Sequence, residues 1–188
     1  MSEAKQKFPR AVALAVAAEL CRELRPYTAR LIVAGSLRRR KAEVGDVEIL
    51  FVPRFLEYRD GLFETGFGNL AEGAIKRLLL LDLIRPRLNV KGRRAWGPEN
   101  KLAVHVASGV PVDFFQASAR NWWTLLVNRT GSKENNERIC NAAIARGLKW
   151  NPYRGFEDRR SGELLFIPDS EQAVFARAGL PWLEPWER

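Results

Sequence analysis

Histidine and cysteine are scarce in this chain, which holds one histidine and two cysteines among 188 residues. With a single histidine, we do not expect a histidine-based triad or a zinc cluster. Cys21 and Cys140 both fall in segments with helical periodicity, which favours small core residues over a disulfide. His105 lies in a segment with strand alternation, and we expect it to be an ordinary strand residue.

Long hydrophobic runs are lacking too. The run Leu78–Leu81 is too short to span a bilayer, and the alanine-rich run from Ala11 is interrupted by Glu19 and closed by Arg22. No targeting segment is recognisable, so we expect a protein of a reducing, cytoplasm-like compartment with no membrane partner.

Acidic residues are outnumbered: 31 Lys and Arg face 22 Asp and Glu, which gives a net charge of +9 and an isoelectric point near 10.1. Such an excess suits a polyanionic partner, above all nucleic acid, because cations neutralise phosphates and release counterions. A basic protein with no such partner remains the alternative. The length fits one domain or two small subdomains, and we expect a monomer.

The most informative stretch runs from Leu31 to Val52. An apolar run ends at Gly35-Ser36, four cations follow, and a second apolar run carries Asp46 and Glu48. Side chains alternate across a strand, so these two carboxylates share a face. Adjacent like charges on a half-buried strand repel each other, and a divalent ion such as Mg²⁺ relieves that repulsion. An exposed edge strand with two solvated acids is the alternative.

A third acid, Asp113, lies in the apolar segment Val110–Phe115, whose neighbouring side chains point the other way. An aspartate in so apolar a strand needs a partner, and the face of Asp46 and Glu48 is the natural one. The sequence therefore predicts three carboxylates on adjacent strands of one sheet.

Periodicity and capping patterns predict the remaining elements. Before residue 118 they are helices Phe8–Leu24 and Asn69–Leu83, strands Leu31–Ala34, Asp46–Val52, Arg85–Val90, Lys101–Ala107 and Val110–Phe115, and a loop Pro53–Gly68. After it they are helices Ala119–Asn128 and Ser132–Arg146, a β region Leu148–Ile167, and a last helix capped by Asp169 and ending at Gly179. We predict an α+β protein with domains 1–117 and 118–188.

The string GSLRRRKAEVGDVEIL, followed by Asp113, resembles the palm of family X DNA polymerases, within the polymerase-beta-type nucleotidyltransferase superfamily. Further motifs are similar to the start of that palm, to the family's thumb and to its closing segment. They are Phe8-Pro9-Arg10, then Thr130-Gly131-Ser132 with Asn136, Gly147-Leu148, Asn151 and Tyr153, and finally Ala178 to Trp182. The resemblance implies a mixed-sheet palm followed by a small α/β thumb.

The resemblance also implies roles for particular residues. Asp46, Glu48 and Asp113 would hold two Mg²⁺ ions, with Mn²⁺ as a substitute, for in-line nucleotidyl transfer. The nucleoside triphosphate would be bound by Gly35, Ser36, Arg39, Arg10, Thr130, Gly131 and Asn136. The DNA backbone would be gripped by Arg38, Arg40, Lys41, Lys91, Arg93 and Arg94.

Some positions depart from the family pattern. Glu48 stands where the family usually has Asp. Asn128-Arg129 replaces a Tyr-Phe pair that screens the sugar in the family. Pro111 lies where many members have an arginine. The chain also starts at the palm helix, without the lyase and fingers-like domains, as in the smallest viral member.

The expected function is Mg²⁺-dependent transfer of a nucleotide from a dNTP to a DNA 3′-OH, with gap filling in repair as the task. Two alternatives stay open: template-independent transfer to DNA, RNA or a small molecule, and a non-catalytic nucleic-acid-binding module.

Overall fold

The structure, a computed structural model, describes residues 6–60 and 64–188. Its helices are α1 Arg10–Leu24, α2 Gly35–Arg38, α3 Leu70–Leu80, α4 Trp122–Thr130, α5 Lys133–Ala145 and α6 Glu171–Ala178. Its strands are β1 Phe8–Pro9, β2 Thr28–Val33, β3 Glu43–Val44, β4 Val47–Pro53, β5 Phe55–Asp60, β6 Glu64–Asn69, β7 Ile84–Pro86, β8 Asn100–His105, β9 Pro111–Gln116, β10 Leu148–Asn151, β11 Gly155–Asp158 and β12 Leu164–Phe166.

The described chain divides into two compact units. The first comprises the described residues up to Val33 and those from Glu43 to Gln116; the second comprises Ala34–Ala42 and Ala117–Arg188. The second unit therefore takes in the Gly-Ser turn and the four cations after it, which the sequence places in a domain 1–117. Side chains of this segment bond to α4 and α6, as described below.

A five-stranded mixed sheet forms the centre of the first unit, in the order β2-β4-β9-β8-β7. Strands β4 and β9 are parallel, and the other neighbours are antiparallel. The central strands are the most apolar, since Ile49, Leu50 and Phe114 are at most 1% exposed. The predicted α+β class and the mixed sheet are confirmed.

Helix α1 forms where apolar residues recur at three- and four-residue intervals. Val16, Leu20 and Leu24 are buried, whereas Val12, also part of the predicted stripe, is 39% exposed. His105 lies on β8 as predicted, bonded to Ser108 at 2.8 Å.

The predicted loop Pro53–Gly68 is wrong, because β5 and β6 pair antiparallel there. Large apolar side chains on this pair are exposed, Phe67 to 66%, so no buried face produces an alternating pattern. The ring of Tyr58 lies over Gly66, where an added Cβ would come within 2.5 Å of it. The glycine that argues against a strand by propensity thus leaves room for the half-exposed Tyr58 ring across the pair.

The second unit encloses its own core under the antiparallel sheet β10-β11-β12. Members of that core come from α4, α5, α6 and the sheet: Val127, Ile139, Ala143, Leu148, Trp150, Phe156, Val174, Phe175 and Ala178. Ser132 caps α5 by accepting a hydrogen bond from the Asn135 N–H.

Helix α6 begins one residue later than predicted. Ser170, not Asp169, is the cap, because its hydroxyl accepts the Ala173 N–H at 3.1 Å. Across the described ranges, no helix has the length and apolar character needed to cross a membrane.

Candidate active site

Two of the three predicted acids lie opposite each other in the sheet. Strands β4 and β9 run parallel with Glu48 in register with Asp113, so both side chains leave the same face. Asp46 directly precedes β4 and is half-buried like Glu48, whereas Val47 and Ile49 are fully buried. The structure thus places Glu48 and Asp113 on adjacent strands, with Asp46 immediately before the first of these strands.

Asp113 is 8% exposed and pairs with Arg87, a residue that sequence reasoning missed. Arg87 also donates through Nε to the carbonyl of Ala103 at 3.1 Å and through Nη1 to that of Leu88 at 3.3 Å. These bonds hold the guanidinium beside the carboxylate. No local signal marks Arg87, because the pairing depends on β7 and β9 both flanking β8.

The acids suit a hard divalent cation in donor chemistry and in the face they share. Within residues 6–60 and 64–188, however, no group of three or more His, Cys, Asp or Glu side chains is arranged to hold a metal ion. Asp113 is instead turned to Arg87. Of the side chains present, Asp46, Glu48 and Asp113 are the ones that could hold Mg²⁺ after a change of rotamer.

The predicted phosphate-binding residues lie in the second unit. Gly35 opens α2 with a positive φ of 62°, a conformation that glycine adopts without strain. The Oγ of Ser36, on the next residue, is buried and has no hydrogen-bond partner among the described residues. A buried hydroxyl without a partner is costly, so a ligand oxygen at this position would be stabilising.

Arg39 connects this turn to the predicted sugar-binding residues. Its Nη1 donates to the carbonyl of Thr130, and a Cβ added at Gly131 would lie 2.9 Å from the same nitrogen. Gly131 also has φ 69° and ψ −153°, a combination nearly restricted to glycine. The structure therefore brings Gly35, Ser36, Arg39, Thr130 and Gly131 into one region.

Arg38 is held by a buried ion cluster. Its Nη1 donates to the Thr130 hydroxyl at 2.7 Å and to Glu171 at 2.9 Å, and Arg188 donates to Glu171 at 2.9 Å. Burial alone raises the pKa of Glu171, but the hydrogen bond and charge of Arg38, with the charge of Arg188, outweigh it and leave the pKa below its ordinary value. With its guanidinium so engaged, Arg38 serves the fold rather than a DNA backbone.

The other predicted site residues are spread over both units. Asn136 donates through its amide to the Asn128 carbonyl at 2.8 Å. Arg129 donates to the Tyr153 hydroxyl at 3.2 Å. Arg10, the first residue of α1, belongs to the first unit.

The predicted DNA-binding cations other than Arg38 are accessible. Lys91, Arg93 and Arg94 are exposed on a tight turn, where Asn89 Oδ1 accepts the Lys91 and Arg93 N–H groups at 2.9 and 3.1 Å. In the second unit Arg40 and Lys41 are exposed, and Arg40 stacks on Trp186 at 3.9 Å. The turn presents three cations on a fixed backbone.

Three comparisons show which known proteins this chain resembles. Residues 125–188 match the family model of the DNA polymerase beta thumb. The chain is 29% identical over 185 residues to a DNA polymerase/3′-5′ exonuclease PolX of Bacillus subtilis (strain 168), covering 96% of this chain and 28% of that protein. A polymerase beta of Leishmania infantum, solved as a ternary P/T complex, matches with a TM-score of 0.74 at 21% identity, covering 97% of this chain and 77% of that one.

The fold and the acids on its sheet define a protein with the architecture of polymerase beta. Together, the thumb family model, the PolX relative and the structural match support a protein of the family X DNA polymerase type. The chain spans about 28% of the length of the PolX relative.

Proposed function

We propose that this protein transfers a nucleotide from a dNTP to the 3′-OH of a DNA primer in a Mg²⁺-dependent reaction, filling short gaps during repair. The observation that carries the proposal is the register of Glu48 with Asp113 on neighbouring parallel strands, with Asp46 just ahead of β4. Such a set of carboxylates is suited to metal-assisted phosphoryl chemistry. The similarity to proteins named as DNA polymerases supports the same class of activity.

The chain's own residues have separable tasks in this reaction. Asp46, Glu48 and Asp113 would hold the two ions, which when bound stabilise charge on the attacking and leaving oxygens. Arg87 orients Asp113 from the side. In the second unit, Ser36 and Arg39 bind phosphate oxygens by hydroxyl and guanidinium donors, and Gly131 leaves space for the sugar.

Template-independent transfer to DNA, RNA or a small molecule is the second candidate, and one observation bears separately on selection of the sugar. Where the family has an aromatic pair that screens the sugar, this chain has Asn128 and Arg129, and Arg129 is bonded to the Tyr153 hydroxyl. A guanidinium at this position can donate to a ribose 2′-OH, so selection of the sugar can differ from that in the relatives.

Extension of a primer across a one-nucleotide gap tests the proposal. Four substrates differing only in the template base are each incubated with all dNTPs or all NTPs, with Mg²⁺, Mn²⁺ or a chelator. We expect metal-dependent addition of the complementary dNTP. Addition that ignores the template base favours the second candidate, and no product with either metal favours a nucleic-acid-binding module.

The cationic turn yields a separate prediction about DNA affinity. Replacing Lys91, Arg93 and Arg94 together by Gln should lower the slope of log K against log salt by about 2.7, because each lost phosphate contact removes about 0.9. The matched control replaces three exposed cations elsewhere in the first unit, Arg22, Lys76 and Arg77, and should leave the slope unchanged. Equal slopes for both triple variants would show that the turn does not grip DNA.

A further inference from the structure

The second unit contains a cleft of about 210 Å³ that none of the predicted site residues lines. Its walls are the first turns of α5 and the end of the chain: Ser132, Glu134, Asn135, Arg138, Leu183, Glu187 and Arg188. Ser132 is the N-cap of α5, so the positive end of a 13-residue helix lies at the cleft.

Two buried side chains leave donors without partners at this cleft. Asn135 is 5% exposed; its Oδ1 accepts from Arg138 Nη2 at 3.2 Å, which fixes the amide so that Nδ2 is the free end. Arg188 is 7% exposed; its Nε donates to Leu183 and its Nη1 to Glu171, but its Nη2 has no partner among the described residues. Arg138 Nε is a third buried donor that has no hydrogen-bond partner among the described residues.

The acids of the cleft are already hydrogen-bonded. Glu187 accepts the Glu184 N–H at 2.6 Å. A hydrogen bond from Ser132, helped by the backbone N–H of Glu134 itself, lowers the pKa of Glu134. The buried polar atoms that lack a partner among the described residues of this cleft, Asn135 Nδ2, Arg138 Nε and Arg188 Nη2, are all donors, so the complementary ligand supplies acceptor oxygens.

The electrostatics of Arg188 point the same way. One carboxylate, that of Glu171, pairs with both Arg38 and Arg188, and the charge of Glu184 also acts on Arg188. Desolvation lowers the pKa of Arg188 despite these charges. An anion beside Nη2 would offset both the unpaired donor and this desolvation.

We propose that this cleft binds a small oxyanion of the phosphate class, held by Asn135 Nδ2, Arg188 Nη2 and Arg138 at the N-terminus of α5. The phosphate can be free in solution or be the terminal phosphate of a nucleic-acid strand. The site differs from the positions of Ser36 and Arg39 that serve the proposed nucleotidyl transfer, and it does not depend on that reaction.

The test follows the side-chain amide of Asn135 by NMR in the full chain during titration with inorganic phosphate, against NaCl of equal ionic strength. Phosphate also stabilises proteins because it is excluded from their surface, and that effect does not saturate with concentration. A saturable shift of the Asn135 resonance is therefore the criterion for binding at this site. We expect saturation with phosphate and none with chloride. Ser36→Ala, which alters the proposed nucleotide site, should leave the shift intact.

Affinity is then measured by calorimetry on matched variants. Asn135→Asp keeps the side-chain shape but replaces the donors by a carboxylate, and it should weaken phosphate binding at this site by at least about tenfold, the effect of losing a charge-assisted hydrogen bond. Asn141→Asp makes the same change at an exposed position of α5 and should bind as the wild type does. If Asn135→Asp is poorly folded, the half-buried Arg138→Gln replaces it with the same expectation.

Two results would overturn the proposal: an Asn135 resonance that does not respond saturably to phosphate, or an Asn135→Asp variant that binds phosphate as tightly as the wild type. A further titration compares single strands with a 5′-phosphate and a 5′-hydroxyl. A shift produced only by the phosphorylated strand identifies a nucleic-acid end as the ligand. A shift produced by orthophosphate but by neither strand identifies the free ion.

Discussion

Replacing Asp113 by Asn should reduce nucleotidyl transfer by about 10³-fold, since a metal-assisted site loses several kcal/mol of charge stabilisation with one carboxylate. Asn keeps the size of the side chain and can still accept a hydrogen bond from Arg87, so the sheet should stay intact. The rate is measured by single-turnover extension of gapped DNA. Mn²⁺ affinity, followed by electron paramagnetic resonance without DNA, should fall in parallel.

The matched control for this variant is Asp82→Asn. Asp82 also pairs with an arginine, Arg85 at 2.7 Å, but the pair is exposed and apart from the strands that carry the acids. Its loss should leave activity and Mn²⁺ affinity at the wild-type level. If wild type and Asp113→Asn are equally inactive with Mg²⁺ and Mn²⁺ and bind DNA equally well, the protein is a binding module that retains a polymerase fold.

Replacing Glu171 by Gln should lower the free energy of unfolding of the second unit by about 3–5 kcal/mol, because two buried guanidinium groups lose their counter-charge. The guanidinium of Arg188 also lies 4.9 Å from the ring centre of Phe175 and 4.6 Å from that of Trp182, so it is packed against the core of this unit. Urea unfolding followed by tryptophan fluorescence suits the measurement, since five of the six tryptophans, at 122, 123, 150, 182 and 186, belong to this unit.

The control here is Glu137→Gln, which removes an exposed pair with Lys133 at 3.6 Å on α5. An exposed pair of this spacing contributes about 0.3–0.5 kcal/mol, so the control should unfold close to the wild type. A Glu171→Gln variant as stable as the control would show that the cluster adds no net stability.

The same cluster predicts a pH dependence. Since the pKa of Glu171 in the folded protein lies below the ordinary value of 4.5, its contribution is complete above that value and is lost as the pH falls through the folded pKa. The stability difference between the wild type and Glu171→Gln should therefore be constant at neutral pH and shrink at acidic pH. A difference that grows on acidification would contradict this assignment.

Local patterns in the sequence were sufficient for much of this protein. The periodicity of residues 8–24 predicted α1, on which Val16, Leu20 and Leu24 are buried, and the alternation of residues 46–52 predicted β4. The helical pattern that starts at Ser132 predicted α5 in the same way. Each of these features depends on residues close together in the chain, so spacing alone reveals it.

Features that depend on distant pairing were decided by the tertiary structure alone. Arg87 reaches Asp113 because both residues flank β8. The segment 34–42 joins the second unit through hydrogen bonds of Arg38 to Thr130 and Glu171. In the β5–β6 pair, the ring of Tyr58 packs on Gly66. Strand register and side-chain contacts between segments far apart in the chain produce no periodic pattern in the sequence. The sequence by itself therefore predicted the acids and the fold class, whereas the residues that pair with those acids were determined by the tertiary structure.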